Sequence, residues 1–264
     1  MLVTRGETMQ PFFVILAREG RHVVDKVREL EDLGVRYLIV CGENLNLPNV
    51  IHRVAKGKYD AINFAAQNLP KDAKVIALND VDTRIRNIEE ALHDFGRTRA
   101  SLLFAKLRVK EGPQVFLNTI LDRLKRRIQV TASGELMLIR RDIFEKILPL
   151  KPCKAEDTYV LFKTLEQGGR AVFCEKCYVE TDRTTSAQKE EGYKRKTVAG
   201  IYQALSYTKV PFRIKLFYML LPFVSPVLLV LGRKGFYSMK GIILGFLDFI
   251  RGDREGYWEP TYMK

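Results

Sequence analysis

Two aspartates one residue apart, Asp80 and Asp82, are the residues of this chain whose type and spacing most clearly indicate chemistry. They follow the apolar run Val75-Ile76-Ala77-Leu78, which is typical of a buried strand. Two carboxylates at a strand end can share a hard divalent cation, because Mg²⁺ and Mn²⁺ prefer oxygen ligands and complete their shells with phosphates. Aspartates are also common in ordinary turns after strands, so the pair alone leaves both interpretations open.

A second acidic pair, Glu156-Asp157, opens a helix that we expect to run to Gln167 and to end at Gly168-Gly169. Acidic residues are common at this position because they interact favourably with the helix dipole. A carboxylate in a partly desolvated cleft beside a second carboxylate has a raised pKa, which suits a general base. Helix capping and acid–base chemistry are therefore both compatible with this pair.

The elements that position these residues follow from hydrophobic patterning. Short apolar runs alternate with helical patterns, which predicts an α/β fold with a mostly parallel sheet and right-handed crossovers. We expect strands at 12–16, 37–40, 75–78, 102–104, 136–139 and 171–173. Ligands of such sheets bind beyond the carboxyl ends of the strands, so the residues after Leu16, Val40 and Leu78 are the ones to consider. A mobile polar loop is expected at 181–188, and a basic helix from about 189 to 207.

Composition narrows the class of protein. The chain has 264 residues, 47% of them hydrophobic, and a formal net charge of +13. Residues 183–264 carry 14 Lys/Arg against 6 Asp/Glu, a net charge of +8, which favours an anionic partner such as nucleic acid, acidic lipid or a phosphorylated substrate. The polar N-terminus lacks the apolar core of a signal peptide, so we expect the catalytic part to stay in the cytosol.

Cys174 and Cys177 form a lone C-x-x-C, compatible with zinc, a redox pair or two plain thiols.

The last 55 residues differ from the rest. Leu216 to Gly232 is an uncharged stretch of 17 residues, flanked by cations on both sides and interrupted by Pro222 and Pro226. Spanning the hydrocarbon core takes about 20 apolar residues. The sequence therefore favours a re-entrant or interfacial helical pair, with a buried helix of the soluble domain as the alternative.

Several weak motifs occur in an order and spacing that resemble the family 2 glycosyltransferases. The matching segments are the Glu19 turn after the first strand, Gly57-Lys58-Tyr59-Asp60-Ala61-Ile62-Asn63, Asp80-Val81-Asp82, Gly134 with Arg140-Arg141, Glu156-Asp157 and Tyr193-Lys194-Arg195-Lys196-Thr197-Val198-Ala199-Gly200. The resemblance runs from about residue 12 to 200. It implies a GT-A fold, a Rossmann-like sheet flanked by helices, here followed by C-terminal apolar membrane-associated helices.

The same resemblance implies roles for individual residues. Asp82, supported by Asp80, would hold Mg²⁺ or Mn²⁺ against the diphosphate of a UDP- or GDP-sugar, and Asp157 would be the base in an inverting transfer. The other donor-binding residues implied are Glu19, Glu43, Lys58, Asp80, and Lys194 and Lys196 of a basic loop. Glu43 stands after the second strand, where the family usually has an acidic residue that reads the nucleoside. The tryptophan typical of processive synthases is replaced by Thr197, which favours transfer of one sugar or a few.

These observations lead to an expected organisation. We expect a catalytic domain over 1–207, with a nucleotide-sugar half at about 10–100 and an acceptor half at about 101–207, and a membrane-associated region over 208–264. The expected partners are a nucleotide-sugar, a lipid-linked or glycan acceptor and the cytoplasmic face of the cell membrane, but no nucleic acid. The alternatives are a nucleotidyltransferase acting on a sugar phosphate, a basic non-catalytic binding protein and a homologue that has lost activity.

Overall fold

The computed structural model of the chain describes residues 10–109, 114–181 and 186–252. Its described strands form one mixed sheet of eight, in the order β3-β2-β1-β4-β7-β6-β8-β5. The strands are β1 (Phe12–Ala17), β2 (Arg36–Cys41), β3 (Val50–His52), β4 (Val75–Asp80), β5 (Arg84–Arg86), β6 (Leu102–Val109), β7 (Leu136–Arg140) and β8 (Ala171–Thr181).

The N-terminal half of the sheet is parallel. Strands β3, β2, β1 and β4 all run in the same direction, and Leu16 of β1 lies in register with Asp80 of β4. Strand β7 runs antiparallel between β4 and β6, whereas β6 and β8 are again parallel. The carboxyl ends of β1, β2 and β4 therefore meet at one edge, as expected for a ligand-binding edge.

Helices cover both faces of the sheet. They are α1 (Val23–Asp32), α2 (Lys58–Ala66), α3 (Ile88–Thr98), α4 (Gln114–Arg127), α5 (Arg141–Ile147), α6 (Glu156–Glu166), α7 (Ala187–Tyr207), α8 (Phe212–Val224) and α9 (Gly232–Ile250), with 3₁₀ turns at Gly20–His22 and Ser225–Leu231. Alternate residues of β1 face opposite layers, with Val14 in the core that includes α2 and α6 and Ile15 in the core that includes α1 and α3. This three-layer α/β architecture agrees with the predicted fold class.

Strands β3 and β5 were not expected from the sequence, and three further elements differ from the sequence-based expectations. Strand β4 continues two residues beyond Leu78, so Asp80 is its last residue. Strand β8 extends to Thr181, because a bulge at 175–177 lets the chain resume pairing with β6 at Tyr178. The helix expected over about 189–207 is confirmed as α7, but the basic loop that the resemblance implied at 194–196 is wrong, because these residues lie inside this helix. Ser186 caps α7 by accepting a hydrogen bond from the backbone N–H of Lys189 at 3.4 Å. Of the expected mobile loop, 182–185 lie outside the described residues.

The C-terminal helices are attached to the rest of the protein. Helix α9 packs along α7, where a side chain at Gly241 would come within 2.6 Å of the Glu191 carbonyl oxygen. Arg195 of α7 donates to both carboxylate oxygens of Asp248 of α9, at 2.5 and 2.8 Å. Within the described residues, Phe212–Ile250 is the one helical stretch whose length and composition would allow it to cross a membrane, and 22% of its most apolar window is buried.

Candidate active site

A crevice opens at the carboxyl edge of β1 and β4. Its walls combine apolar side chains from the sheet and from α2 with carboxylates from two different elements. The lining residues are Leu16, Ile62, Leu78, Asn79, Asp80, Gly134, Met137, Glu156, Asp157 and Val160. The fold therefore brings Asp80 of the first acidic pair to the same crevice as Glu156 and Asp157, more than 70 residues later in the sequence, whereas Asp82 is not among the lining residues.

Lys58 lies between the two acidic pairs. Its Nζ donates to both oxygens of Asp80, at 2.8 and 2.7 Å, and lies 3.5 Å from Oε1 of Glu156. Burial alone would lower the pKa of the Lys58 ammonium, but the attraction of Asp80, Glu156 and Asp82 outweighs it and raises the pKa above its ordinary value. Lys58 is therefore a permanently charged bridge across the crevice, placed by the first turn of α2.

Asp157 lies in a different environment. Burial first, and then repulsion from Glu156 and Glu135, raise the pKa of its carboxyl well above the ordinary value, although the backbone N–H of Thr158 donates to its Oδ1 at 2.6 Å. Gly134 permits this position, because a Cβ there would lie 2.9 Å from the Cβ of Asp157. A carboxyl that takes up a proton close to neutral pH has the property required of a general base.

A buried network holds the Asp80–Asp82 turn from behind. Lys26 of α1 is 2% exposed, and its Nζ donates to Oδ1 of Asn79 at 3.0 Å and to the carbonyl of Thr83. Asn79 in turn donates to Oγ1 of Thr83 at 3.0 Å and to the carbonyl of Glu135. The Thr83 hydroxyl donates to the Asp80 carbonyl at 2.8 Å, so the turn is tied to α1 and to Glu135, the residue that precedes β7.

The two aspartates fit a divalent cation unequally. Asp82 is exposed at the rim of the sheet, whereas both oxygens of Asp80 accept hydrogen bonds from Lys58. Burial, and then the charges of Asp82 and Glu135, raise the pKa of Asp80 despite the attraction of Lys58. No group of three His, Cys, Asp or Glu side chains in the described residues is arranged to hold a metal ion. This donor set matches a cation that uses one or two carboxylates and takes its other ligands from phosphates and water.

The remaining predicted site residues divide into two groups. Glu19 and Glu43 lie in neighbouring loops, because Oε2 of Glu43 accepts from the backbone N–H of Gly20 at 3.0 Å. Lys194 pairs with Glu190 on its own helix at 3.4 Å, and Lys196 is half-buried on the same helix. None of these four residues lines the crevice, so their donor-binding roles remain predictions.

Three residues near the site are not apparent from the sequence. Glu135 is 8% exposed, and its charge helps to raise the pKa of both Asp80 and Asp157. Lys125 of α4 is 5% exposed and donates to Oγ of Ser133 at 2.6 Å. Lys26 gives a usable signal, because it falls on the apolar face of α1 between Val23 and Val27, where a charge is unusual.

The C-x-x-C pair lies away from this crevice. Cys174 and Cys177 are buried in β8, and the backbone N–H of Cys177 donates to Sγ of Cys174 at 3.4 Å. Burial raises the pKa of Cys177 to about 12, which keeps the thiol protonated at neutral pH and lowers its reactivity in thiol exchange, and no further His, Cys, Asp or Glu of the described residues completes a metal site with the pair. Of the three interpretations, the structure favours two plain buried thiols.

Comparison with known proteins gives a result for structure only. No protein-family model and no curated protein sequence matches the chain. Among solved structures, it is similar to the mannosyltransferase PcManGT of Pyrobaculum calidifontis, solved in complex with GDP-mannose and Mn²⁺, at a TM-score of 0.71 and 12% identity over 94% of this chain and 89% of that one.

A weaker similarity is to S. aureus TarS 1–349, at a TM-score of 0.49 and 14% identity over 96% of this chain and 100% of that one. Another is to Drosophila β-1,4-galactosyltransferase 7, at a TM-score of 0.37 and 16% identity over 62% of this chain and 64% of that one. The likeness to PcManGT extends over nearly the whole of both chains. The protein has the GT-A fold. Membership of family 2 remains a prediction.

Proposed function

We propose that this GT-A protein transfers a sugar from a nucleotide-sugar to a hydroxyl or phosphate of a lipid-linked or glycan acceptor, with inversion at the anomeric carbon. The observation that carries the proposal is the crevice in which Asp80, at the end of β4, and Asp157, at the start of α6, line the same space. The similarity to a fold that holds GDP-mannose and Mn²⁺ in PcManGT supports it.

In this reaction Asp157 and Lys58 have different roles. The acceptor oxygen attacks the anomeric carbon, its proton passes to Asp157, and the bond from that carbon to the donor's β-phosphate oxygen breaks. Asp157 is suited to this role because its raised pKa lets it hold the proton. Lys58 is placed to donate hydrogen bonds to the departing diphosphate.

The donor diphosphate also needs a cation. Asp82, with Asp80 beside it, would hold Mg²⁺ or Mn²⁺, which when bound neutralises charge on the leaving diphosphate. Lys58 supplies a single positive charge, and the crevice walls contain the carboxylates of Asp80, Glu156 and Asp157. An anionic donor therefore needs a second source of positive charge to enter.

The proposal places the reaction at the cytoplasmic face of the cell membrane. The C-terminal helices support this location, because Tyr218 of α8 is buried beside the site and donates through its hydroxyl to the Val130 carbonyl at 2.7 Å. Burial, and then the charges of Tyr202 and Asp157, raise the pKa of Tyr218, so α8 lies close enough to the proposed base for the two groups to interact. An acceptor anchored in lipid next to α8 would have a short path to Asp157.

A thermal-shift panel tests the donor chemistry. UDP-, GDP- and dTDP-sugars and a nucleoside triphosphate are each added with and without Mn²⁺, to the natural chain, to Asp82→Ala and to Asp32→Ala, an exposed aspartate of α1 that serves as the control. We expect a metal-dependent shift with one nucleotide-sugar that Asp82→Ala abolishes and Asp32→Ala retains. No shift with any sugar donor would overturn the proposal, and a shift with the triphosphate alone would favour a nucleotidyltransferase.

A further inference from the structure

An exposed apolar surface covers the outward side of α8 and the following 3₁₀ turn. Its members are large hydrophobic side chains that a soluble surface seldom presents together: Phe212, Leu216, Met219, Leu220, Phe223, Val224, Val227, Leu229 and Val230. Phe223, Val227 and Val230 are 77, 69 and 82% exposed. A contiguous apolar patch of this kind marks an interaction site.

The exposure is not that of a detached helix. The opposite side of α8 is buried, with Ile214 and Tyr218 almost fully covered. Tyr218 donates to the Val130 carbonyl and accepts, through its own carbonyl, from the hydroxyl of Tyr202 of α7 at 2.7 Å. The apolar surface is therefore held rigidly on the outside of the protein.

Positive charge surrounds this surface. Residues 212–236 contain four Lys/Arg and no Asp/Glu. Arg213 and Lys215 at one end, and Arg233 and Lys234 at the other, are all exposed. Apolar side chains bordered by cations match the two layers of a membrane surface, with acyl chains below and anionic headgroups above.

The geometry favours docking on the membrane over crossing it. Helix α8 and the seven-residue 3₁₀ turn after it are together about 34 Å long, so length alone does not exclude crossing a hydrocarbon core of about 30 Å. Ile214 and Tyr218 of α8 are buried against the protein, however, so only the outward side of α8 can face lipid. The helical path breaks at Gly232, whose φ is +63°. Helix α9 is longer, but Gly235, Gly241 and Gly245 are buried, and α9 lies along α7, which carries Glu190, Glu191 and other charges. That flank of α9 is not available to lipid.

We infer that residues 212–236 form an in-plane docking surface for a bilayer containing anionic lipid, with Phe223, Val227 and Val230 inserted among the acyl chains and the flanking cations at the headgroups. The inference deepens the membrane part of the proposed function. Because it concerns binding without substrate, it can fail while sugar transfer stands.

The test is flotation of the purified full chain with preformed vesicles of phosphatidylcholine, with or without phosphatidylglycerol. We expect binding to the mixed vesicles. The triple variant Phe223→Ser, Val227→Ser, Val230→Ser should lose about 1,000-fold in partitioning, since each inserted side chain contributes roughly tenfold. The matched control is Val24→Ser, Val54→Ser, Ile120→Ser, three exposed hydrophobic residues elsewhere, which should bind like the natural chain.

A second variant separates charge from apolar insertion. Arg233→Gln with Lys234→Gln should reduce binding to the mixed vesicles by about tenfold or more and leave binding to pure phosphatidylcholine unchanged. Circular dichroism of all variants checks folding, which these exposed substitutions should not alter. If the natural chain does not float with mixed vesicles, or if the triple variant floats equally well, the inference is wrong. Self-association in sedimentation velocity that the triple variant abolishes, without vesicle binding, would instead assign the surface to a second copy of the chain.

Discussion

Replacing Lys58 with methionine tests whether this lysine and a divalent cation compete for the same carboxylate. Lys58 Nζ donates to both oxygens of Asp80, at 2.8 and 2.7 Å, and the two side chains are only 26 and 19% exposed. A cation that binds Asp80 must first displace this ammonium. Hydrogen bonds between charged groups contribute about 1.5–3 kcal/mol, and every 1.4 kcal/mol is a factor of about ten in affinity.

Lys58→Met should therefore tighten Mn²⁺ binding by about 10- to 100-fold when no nucleotide is present. The same variant should lose about 2–3 kcal/mol of stability without metal, because Asp80 and Glu156 lose the cation between them. Added Mn²⁺ should restore part of that loss, since the metal supplies positive charge at the same carboxylate.

Titration calorimetry with Mn²⁺ measures the affinity, and chemical denaturation with and without Mn²⁺ measures the stability. Lys71→Met, at an exposed lysine between α2 and β4, is the matched control and should change neither quantity. Unchanged or weaker Mn²⁺ binding in Lys58→Met would refute the reasoning. It would mean that Asp80 is not a metal ligand, or that its pairing with Lys58 persists alongside the metal.

Three further substitutions have outcomes that follow from the contacts. Asp157→Asn should abolish transfer and raise the free energy of unfolding by about 1–3 kcal/mol at pH 8, because burial and neighbouring carboxylates raise the pKa of Asp157 to about 7. This gain should shrink towards pH 5, because the natural chain regains stability as Asp157 takes up its proton below that pKa. Lys26→Met should lower the free energy of unfolding in urea by about 3 kcal/mol, because it leaves the carboxylate of Glu29, 2.7 Å from Lys26 Nζ, without that partner. Adding Glu29→Gln to Lys26→Met should recover part of this stability, and no recovery would contradict the pairing. Gly241→Ala should lower the stability measured by thermal denaturation by about 2 kcal/mol or more, because its Cβ would lie 2.6 Å from the α7 backbone. The control Gly192→Ala, in open space on α7, should raise the stability by about 0.5–1 kcal/mol. Equal effects of the two substitutions would exclude the close packing of α9 on α7.

Local patterning was sufficient to predict the central sheet. The runs that became β1, β2 and β4 are continuous and apolar because both faces of these strands are buried, and such runs are recognisable without any tertiary information. Strand β8 was predicted too short for the opposite reason. Its second half contains charged and half-exposed residues, and it is a strand because it pairs with β6 on one side and with β5 on the other.

The site was predictable to the extent that motifs carry it. Asp80 and Asp157 belong to recognisable acidic pairs, and the structure places both in one crevice. The pairing of Lys58 with Asp80 was not predictable, because it depends on how α2 is positioned against β4, 22 residues away in the sequence. Glu135 was missed for the same reason: its effect on the two aspartates is a distance through space, which no local pattern encodes.

The distribution of charge connects the donor and the membrane parts of the proposal. The chain is strongly basic, with a net charge of +13, yet its crevice is lined by carboxylates, with Lys58 between them. Three carboxylates and Lys58 meet at the crevice, whereas four exposed cations, Arg213, Lys215, Arg233 and Lys234, border the apolar surface. An acidic crevice repels a diphosphate unless a divalent cation accompanies it, so donor binding should be metal-dependent. The four cations beside the apolar surface can then bind lipid headgroups, and the two activities should respond to different variants. Asp82→Ala should lose donor binding and still float with vesicles. Arg233→Gln with Lys234→Gln should keep donor binding and bind the mixed vesicles more weakly.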